Sequence, residues 1–301
     1  MRIDKGLDLH RPDAVTADEM AAFRAAYERS HGGVLDAYEF WLENDPRVVK
    51  SHRLQAFYTA GDEGRSLPLH GTLGFLHLYT VMAYDFGIAY EVNHARTLGA
   101  SKKAVLQTIE LAFIHSGPRG IGTARQAAKS ILDAWPDSDA DSGDAGDFGG
   151  YEADMSAAFP PGWSAEPDLF RIDLDLTTAA LSAAELAAIR SWYTGLAGEV
   201  PGHVEFLAAG RPGLLKAHLD RLCRAMQGPL PKEMLAFQLL QLSVARANPA
   251  GIRESALLGR GLGMTTDQLF EAAAWGAMYG GLSALTLAYN AAADVFGVRS
   301  A

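Results

Sequence analysis

Apolar residues recur three and four positions apart along most of the chain, and this period predicts α-helices. Three of the predicted helices begin with a capping box, in which Thr or Ser is followed three positions later by Glu or Gln. These pairs are Thr16 with Glu19, Ser182 with Glu185, and Thr265 with Gln268. We find no two alternating apolar runs joined by a hairpin turn. The pattern therefore predicts an all-α fold.

The two halves of the chain match each other at an offset of 163 to 166 positions. The matched pairs include Lys50 with Lys216, Glu91 with Glu254, Gly99 with Gly263, and Gly117 with Gly281. An offset this constant predicts two tandem helical repeats. We expect each repeat to hold a long helix, a glycine turn, a second helix, a glycine-containing break and a third helix.

An acidic segment separates the predicted repeats, and its crowded Pro, Gly, Asp and Ser residues disfavour helix. Positions 136–175 contain eleven Asp or Glu and one Arg, which accounts for the net charge of −10. Asp137, Asp139 and Asp141 alternate as in a calcium loop, but the glycine and closing glutamate of that loop are out of register. We therefore interpret the segment as a solvated linker. The predicted domains are a first repeat at 1–135, the acidic linker at 136–176 and a second repeat at 177–301.

Composition excludes several classes of protein. Apolar residues make up 49% of the chain and charged residues 21%, as in an ordinary globular domain. A single cysteine, Cys223, rules out an intrachain disulfide or a cycling thiol pair and favours a reducing cytoplasm. The chain has no basic footprint for nucleic acid, and its polar beginning does not fit a signal peptide. We therefore predict a cytoplasmic protein with no nucleic-acid partner.

One uncharged stretch, residues 272–293, is long enough to span a bilayer. It is rich in Ala and Gly and contains Tyr279, Tyr289 and Asn290, which favour a buried helix with close neighbours over a membrane span. We therefore expect no membrane partner.

Histidines, the side chains best suited to acid–base chemistry near neutral pH, are concentrated in the first half, since seven of the nine precede residue 116. His70, His77, Tyr84 and Glu91 are spaced by sevens, so on one straight helix they would share a face. Such groups are costly to bury in an apolar segment unless they are paired or used. We predict Glu91 as the general acid or base, with His77, Tyr84 and His70 as catalytic partners.

A purely structural role for these four residues stays open as the alternative. His70 would begin a helix, Tyr84 would lie in the core with its hydroxyl satisfied, and Glu91 would face solvent. A helix break near Gly87 would also spoil the alignment of Glu91 with the other three residues.

Four further residues are candidates for substrate binding. His94 follows Glu91 by one helical turn, and Glu110 lies on the stripe of a predicted helix at 101–115. His115 ends that helix just before Gly117, and Arg119 could bind a substrate carboxylate. The alternatives are a salt bridge for Glu110, a capping role for His115 and an exposed position for Arg119.

No metal or cofactor is predicted. The chain has no His-Glu-x-x-His motif and no CxxC pair. His70 and His77 would lie about 10 Å apart along a helix, too far to share one ion.

The short motifs within the matched halves resemble the carboxymuconolactone decarboxylase/AhpD-like superfamily. Ala95-x-x-x-Gly99-Ala100-Ser101 fits the middle of its repeat, and in the second half Leu230 to Glu233, Gly263 to Asp267, Tyr279 to Gly281 and Ala288 fit better. The likeness covers about 35–125 and 200–295. It implies an all-α fold of two AhpD-like repeats, a small-molecule substrate and a homo-oligomer, with a trimer favoured.

Departures from the superfamily pattern define the expected chemistry. With Gly99 on the superfamily glycine, Glu91 occupies the position of a proton-relay histidine, and Tyr84 and Gly87 occupy those of the two cysteines. The cysteines are missing from the second repeat too, so the resemblance implies no AhpD-type peroxidase activity. We expect a thiol-independent decarboxylase, isomerase, lactone-opening or cyclising enzyme acting on a small organic acid, lactone or enolisable carbonyl compound. The alternatives are a non-catalytic ligand-binding or assembly homologue and a helical haem protein that uses His77 or His115.

Overall fold

The computed structural model of the chain describes residues 3–11, 13–59, 69–135 and 159–298, without the side chains of residues 3 and 4. The chain forms two compact units, Met1–Pro161 and Gly162–Ala301. Apart from one short hairpin, the regular structure of the described residues is helical, which confirms the predicted all-α fold. The calcium-like aspartates lie outside the described residues, and the predicted domain boundaries stay a prediction.

The first unit begins with a hairpin and continues with six helices among its described residues. The strands are β1 (Ile3–Asp4) and β2 (Leu7–Asp8), and the helices are α1 (Ala17–His31), α2 (Asp36–Asn44), α3 (Pro46–Thr59), α4 (Leu69–Met82), α5 (Asp85–Thr97) and α6 (Lys102–Asp133). Helix α4 packs against both α5 and α6, and α5 packs against α1. Every residue of α4 from Leu69 to Val81 is buried, so this helix is the centre of the unit.

The second unit begins with a 3-10 turn at Pro167–Phe170, whose Phe170 is buried. Its helices are α7 (Ala183–Ala197), α8 (Gly202–Gly210), α9 (Pro212–Met226), α10 (Lys232–Ala245), α11 (Pro249–Gly261), α12 (Thr266–Gly280) and α13 (Leu282–Ala292). Helix α10 packs against α11 and α12 and is the central helix here. All three predicted capping boxes are present, at the starts of α1, α7 and α12.

The short hairpin at the start of the first unit has no counterpart in the apolar pattern of the sequence. Strands β1 and β2 pair in antiparallel register through the two-residue turn Lys5–Gly6. Each strand has only two residues, so it is too short to show an alternating pattern. Both turn residues have positive φ, 49° for Lys5 and 87° for Gly6, as a two-residue hairpin of type I′ requires.

The predicted long helix of the first repeat is wrong, because the chain breaks between α4 and α5. The break lies at Ala83, whose φ of 55° is left-handed. Ala247 makes the same break between α10 and α11, with a φ of 50°. A left-handed alanine carries no sequence signal, because such positions normally favour Gly or Asn.

The glycine breaks lie where the sequence predicts them. Gly99 follows α5 in a left-handed turn, and Gly117 departs from helical geometry within α6, with φ 61° and ψ −161°. Gly263 and Gly281 are the corresponding positive-φ glycines of the second unit. Both pairs are 164 residues apart, the same spacing that separates Ala83 from Ala247. On this register the counterpart of Glu91 is Ser255. The predicted match of Glu91 with Glu254 is therefore off by one residue.

The uncharged stretch 272–293 was predicted as one buried helix, but it forms parts of two. Helix α12 ends and α13 begins at Gly281. None of the helices among the described residues combines the length and the apolar character needed to cross a membrane.

A buried lysine fixes the start of each unit to a later helix. In α3 the Lys50 Nζ donates to the carbonyls of Arg11 and Ala14 and lies 2.7 Å from the Glu19 carboxylate. Partial burial opposes ionisation of Glu19, but bonds from Lys50 and from the backbone of Thr16 and Asp8 lower its pKa to about 2.

The second unit contains the same ion pair. The Lys216 Nζ lies 2.8 Å from the Glu185 carboxylate and donates to the carbonyl of Ala180. Both lysine side chains are 1% exposed.

Replacing either buried lysine by Met should destabilise the protein strongly. The Lys50→Met and Lys216→Met variants leave at least one backbone carbonyl without its lysine donor, and an unsatisfied buried acceptor costs about 1–3 kcal/mol. Urea unfolding monitored by circular dichroism measures the loss. The control is Lys129→Met, which breaks an exposed pair with Asp133 and should change stability little. Equal effects of all three variants would contradict the structural role.

Candidate functional site

Four polar residues meet where α1, α4 and α5 pack together in the first unit. Glu91 and His94 come from α5, His31 from the end of α1, and Thr72 from α4. All four are buried, with Glu91 2% and His94 3% exposed. A spacing of three residues places Glu91 and His94 on the same face of α5. We call these four residues the α1/α4/α5 cluster.

Hydroxyl groups hold both imidazoles of the cluster. The Thr72 Oγ1 lies 3.0 Å from the His94 Nδ1, and the Ser30 Oγ lies 2.6 Å from the His31 Nδ1. The Ser30 hydroxyl donates its hydrogen to the carbonyl of Ala26 at 2.8 Å, so it can only accept from His31. Neutral His31 therefore carries its proton on Nδ1, which leaves Nε2 as a proton acceptor.

The two imidazoles of the cluster stack face to face. Their ring centroids are 3.7 Å apart, and the angle between their planes is 27°. Tyr90 packs against the ring of His31 at 3.9 Å. Burial lowers the pKa of His31 well below its usual value, and His94, Lys5 and Arg53 lower it further. Burial likewise lowers the pKa of His94, with Lys5 and Arg53 acting in the same direction. Both imidazoles are therefore neutral at pH 7.

Glu91 is the acidic member of the cluster. Its Oε2 lies 3.9 Å from the His94 Nδ1 and accepts no hydrogen bond from the residues that the structure describes. Burial raises the pKa of Glu91 well above its usual value, although Lys5 and Arg53 oppose this effect. The cluster therefore pairs a carboxyl group that favours its protonated form with imidazoles that favour their neutral form.

Two cationic residues next to the cluster were not singled out from the sequence. Lys5 is 7% and Arg53 is 8% exposed, and both act electrostatically on Glu91, His31 and His94. Lys5 comes from the hairpin turn, and Arg53 comes from α3. Neither forms part of a spacing pattern with the cluster, so no sequence signal could have joined them to it.

The predicted catalytic stripe is not one helix face, because the chain breaks at Ala83. His70 and His77 are buried on α4, and the ring of His77 packs edge-on against that of His115 at 6.1 Å. Tyr84 caps the start of α5, half-buried, with its ring against Tyr79. Burial, Asp36 and Asp85 raise the pKa of Tyr84. The expected alignment of all four residues along one helix was wrong.

Three of the four candidates for substrate binding are exposed. Glu110, His115 and Arg119 all lie on the solvent side of α6, and His115 stands just before the helix break at Gly117. The exposed position of Arg119 agrees with the alternative for that residue, and Glu110 faces solvent, while its predicted salt bridge stays a prediction. Of the four, the structure brings His94 next to Glu91.

The cluster also contains a possible set of metal ligands, but its geometry does not suit one ion. Ligand atoms of His31, Glu91 and His94 all lie within 4.8 Å of one another. An imidazole binds a metal through a lone pair in the plane of its ring. The two rings stack nearly parallel, so their lone pairs do not converge on one point, and Lys5 and Arg53 add positive charge nearby.

The second unit lacks this cluster at the corresponding positions. Helices α1 and α7 both have 15 residues and both end at a left-handed glycine, so the counterpart of His31 is Ala197. On the register of 164 residues, Ser255 corresponds to Glu91 and Leu258 to His94. The second unit therefore keeps the helices without these acidic and imidazole groups.

A comparison with solved structures finds the same fold in one bacterial protein. It is a crystal structure from Burkholderia xenovorans, described as a candidate gamma-carboxymuconolactone decarboxylase subunit. The match has a TM-score of 0.52 and 15% sequence identity, and it covers 94% of this chain and 96% of the other. At this identity the likeness concerns the fold. No protein-family model matches the chain, and no curated protein matches it.

Replacing Glu91 by Gln should stabilise the protein increasingly as pH rises. A carboxyl group whose pKa is raised by folding contributes stability below its unfolded pKa and loses it as pH rises through its folded pKa. Gln imitates the neutral acid and avoids this loss, which for one proton reaches about 1.4 kcal/mol per pH unit. Urea unfolding between pH 5 and 9 measures the difference from wild type.

The titration of His31 and His94 affects both proteins and cancels from this difference to first order. Glu28→Gln, which changes an exposed carboxyl group in the same unit, should show no such trend. A constant difference between Glu91→Gln and wild type over the whole pH range would mean that Glu91 ionises normally.

Proposed function

We propose that the chain is a thiol-independent acid–base enzyme acting on a small organic acid, lactone or enolisable carbonyl compound. The observation that carries the proposal is Glu91, a buried carboxyl group with a raised pKa and one oxygen that accepts no hydrogen bond from the described residues. Pairs of titratable groups whose environments favour opposite protonation states are typical of proton-transfer sites. The name of the structural neighbour, a decarboxylase subunit, agrees with this class of reaction.

The cluster supplies both an acid and a base. The Glu91 carboxyl group can donate its proton to a carbonyl oxygen, while a neutral imidazole accepts a proton from the adjacent carbon. Returning the proton to another carbon gives isomerisation. In decarboxylation, loss of carbon dioxide leaves an enol or enolate carbon that takes up a proton. His31 is the better base, because its Nδ1 carries the proton and leaves Nε2 as the acceptor nitrogen, whereas His94 lies beside Glu91 with its Nδ1 3.9 Å from Oε2.

The other predicted residues divide into two groups. His70 and His77 stay proposed as further proton carriers, since both are buried on α4 in the same unit. Tyr84 is a less suitable partner because it caps α5. Peroxidase activity of the thiol type stays unexpected, because burial and Asp220 raise the pKa of the sole cysteine, Cys223, to about 11. The cytoplasmic location and the homo-oligomer, with a trimer favoured, also stay proposals.

The experiment that tests this function follows proton exchange in heavy water. Enolisable keto acids and lactones are incubated with the protein, and exchange, isomerisation or release of carbon dioxide is followed by NMR. Glu91→Gln should lower the rate by about 10²- to 10⁴-fold, because it removes a positioned acid or base. The matched control is Glu254→Gln in the second unit, which should keep the wild-type rate.

Two outcomes would contradict the proposal. Equal rates for Glu91→Gln and wild type would remove Glu91 from the reaction. Saturable binding of these compounds without any exchange or turnover would favour a non-catalytic ligand-binding protein on the same fold.

A further inference from the structure

The N-terminal hairpin has a turn that its own sequence does not favour. A two-residue turn with positive φ at both positions is best made by Asn-Gly or Asp-Gly, but here the first residue is Lys5, with a φ of 49°. A non-Gly, non-Asn residue in this conformation is strained. The turn also lies directly on α1, because a Cβ added to Gly6 would lie 2.6 Å from the Cβ of Ala22. Stability of the turn therefore does not explain a lysine here.

The strained turn places the lysine side chain inside the first unit. Lys5 is 7% exposed, and its Nζ lies 3.5 Å from the Ser30 Oγ and 5.4 Å from the centre of the Tyr27 ring. The Ser30 hydroxyl is the same group that holds His31. One hydroxyl therefore joins the buried ammonium to an imidazole of the α1/α4/α5 cluster.

Arg53 brings a second cation to the same region. It is 8% exposed, and its charge reaches Glu91, His31 and His94, as that of Lys5 does. Two buried cations and a protonated carboxyl group beside neutral imidazoles form a surrounding suited to negative charge, since the ammonium, the guanidinium and the carboxyl group can each donate a hydrogen bond to an anion.

We propose that Lys5 and Arg53 bind the carboxylate of a small organic acid substrate at the α1/α4/α5 cluster. The inference rests on the proposed function, and it names the anionic group that the site takes. A carboxylate held by the two cations would lie next to the acid and the base that act on the adjacent carbon. The same cations would stabilise the negative charge of an enolate formed from it.

The first measurement is binding of small carboxylates by isothermal titration calorimetry at pH 7. The probes are acetate, adipate and levulinate, a keto acid, and methyl levulinate is the uncharged control. We expect at least one carboxylate to bind the wild-type protein and the ester to bind at least tenfold more weakly. If no carboxylate binds, or if levulinate and its ester bind equally, the proposal is overturned.

The second measurement assigns the binding to the two cations. Lys5→Met and Arg53→Met should each weaken binding of the carboxylate about 10- to 100-fold, as expected for loss of a hydrogen bond from a charged group. The exposed controls are Lys129→Met for the lysine and Arg47→Met, on the same helix as Arg53, and both should bind as wild type does. Wild-type affinity in Lys5→Met would overturn the assignment of Lys5.

A second substitution separates binding from folding. Lys5→Asn suits the left-handed turn, so it should keep or raise the melting temperature while it loses the affinity for carboxylates. Melting temperatures by circular dichroism and affinities by calorimetry test both effects on the same protein. If Lys5→Asn has the melting temperature and the carboxylate affinity of wild type, Lys5 does not bind the carboxylate.

Glu91→Gln distinguishes failure of this inference from failure of the proposed function. If Glu91→Gln loses turnover but binds carboxylates, both proposals are supported. If Glu91→Gln loses turnover and Lys5→Met binds carboxylates normally, the proposed function stands and the role of Lys5 in binding the carboxylate is overturned. If Lys5→Met loses binding while Glu91→Gln keeps full turnover, the role of Lys5 in binding the carboxylate stands and the catalytic role of Glu91 is overturned.

Discussion

Burial of the Glu91 carboxyl group is the constraint that determines the protonation states within the α1/α4/α5 cluster. An ionised carboxylate inside a protein is costly unless charge or hydrogen bonds offset the cost. The surroundings of Glu91 offset it only in part, because Lys5 and Arg53 favour the ionised form while burial favours the neutral form more strongly. The result is an acid that holds its proton to higher pH, next to imidazoles that burial keeps neutral. Sites of proton transfer typically pair neighbouring titratable groups whose environments favour opposite protonation states.

The backbone brings these groups together through breaks that cost energy locally. Ala83 ends α4 in a left-handed conformation, so α5 turns back and packs against α4 and α1. A continuous helix through Ala83 would have carried Glu91 away from Thr72, whose hydroxyl holds His94. The strain at Ala83 is thus linked to the position of the acid, in the same way that the strain at Lys5 is linked to the position of the ammonium.

The sequence predicted what local patterns encode. The capping boxes, the turn at Gly99 and the break at Gly117 all lie where their residues indicated, and Glu91 was singled out from its spacing and its apolar surroundings. The partners of Glu91 were harder to find. His31 lies 60 residues earlier in the chain and Lys5 lies in a hairpin of four paired residues, so neither shares a periodic pattern with α5. The spacing of seven residues from His70 to Glu91 misled because the chain breaks between α4 and α5. A break near Gly87 was the open alternative, but the left-handed Ala83 that makes the break gives no sequence signal.

Comparison of the two units distinguishes the residues that the fold requires from those that occur only at the α1/α4/α5 cluster. Both units have a capping box at the first helix, a buried ion pair between its glutamate and a lysine two helices later, and left-handed breaks at corresponding places. The second unit achieves this with Ala197, Ser255 and Leu258 at the positions of His31, Glu91 and His94. Helices of similar lengths therefore form without a carboxyl group or imidazoles at these positions. Since the fold does not require these costly groups, their presence in the first unit is best explained by function.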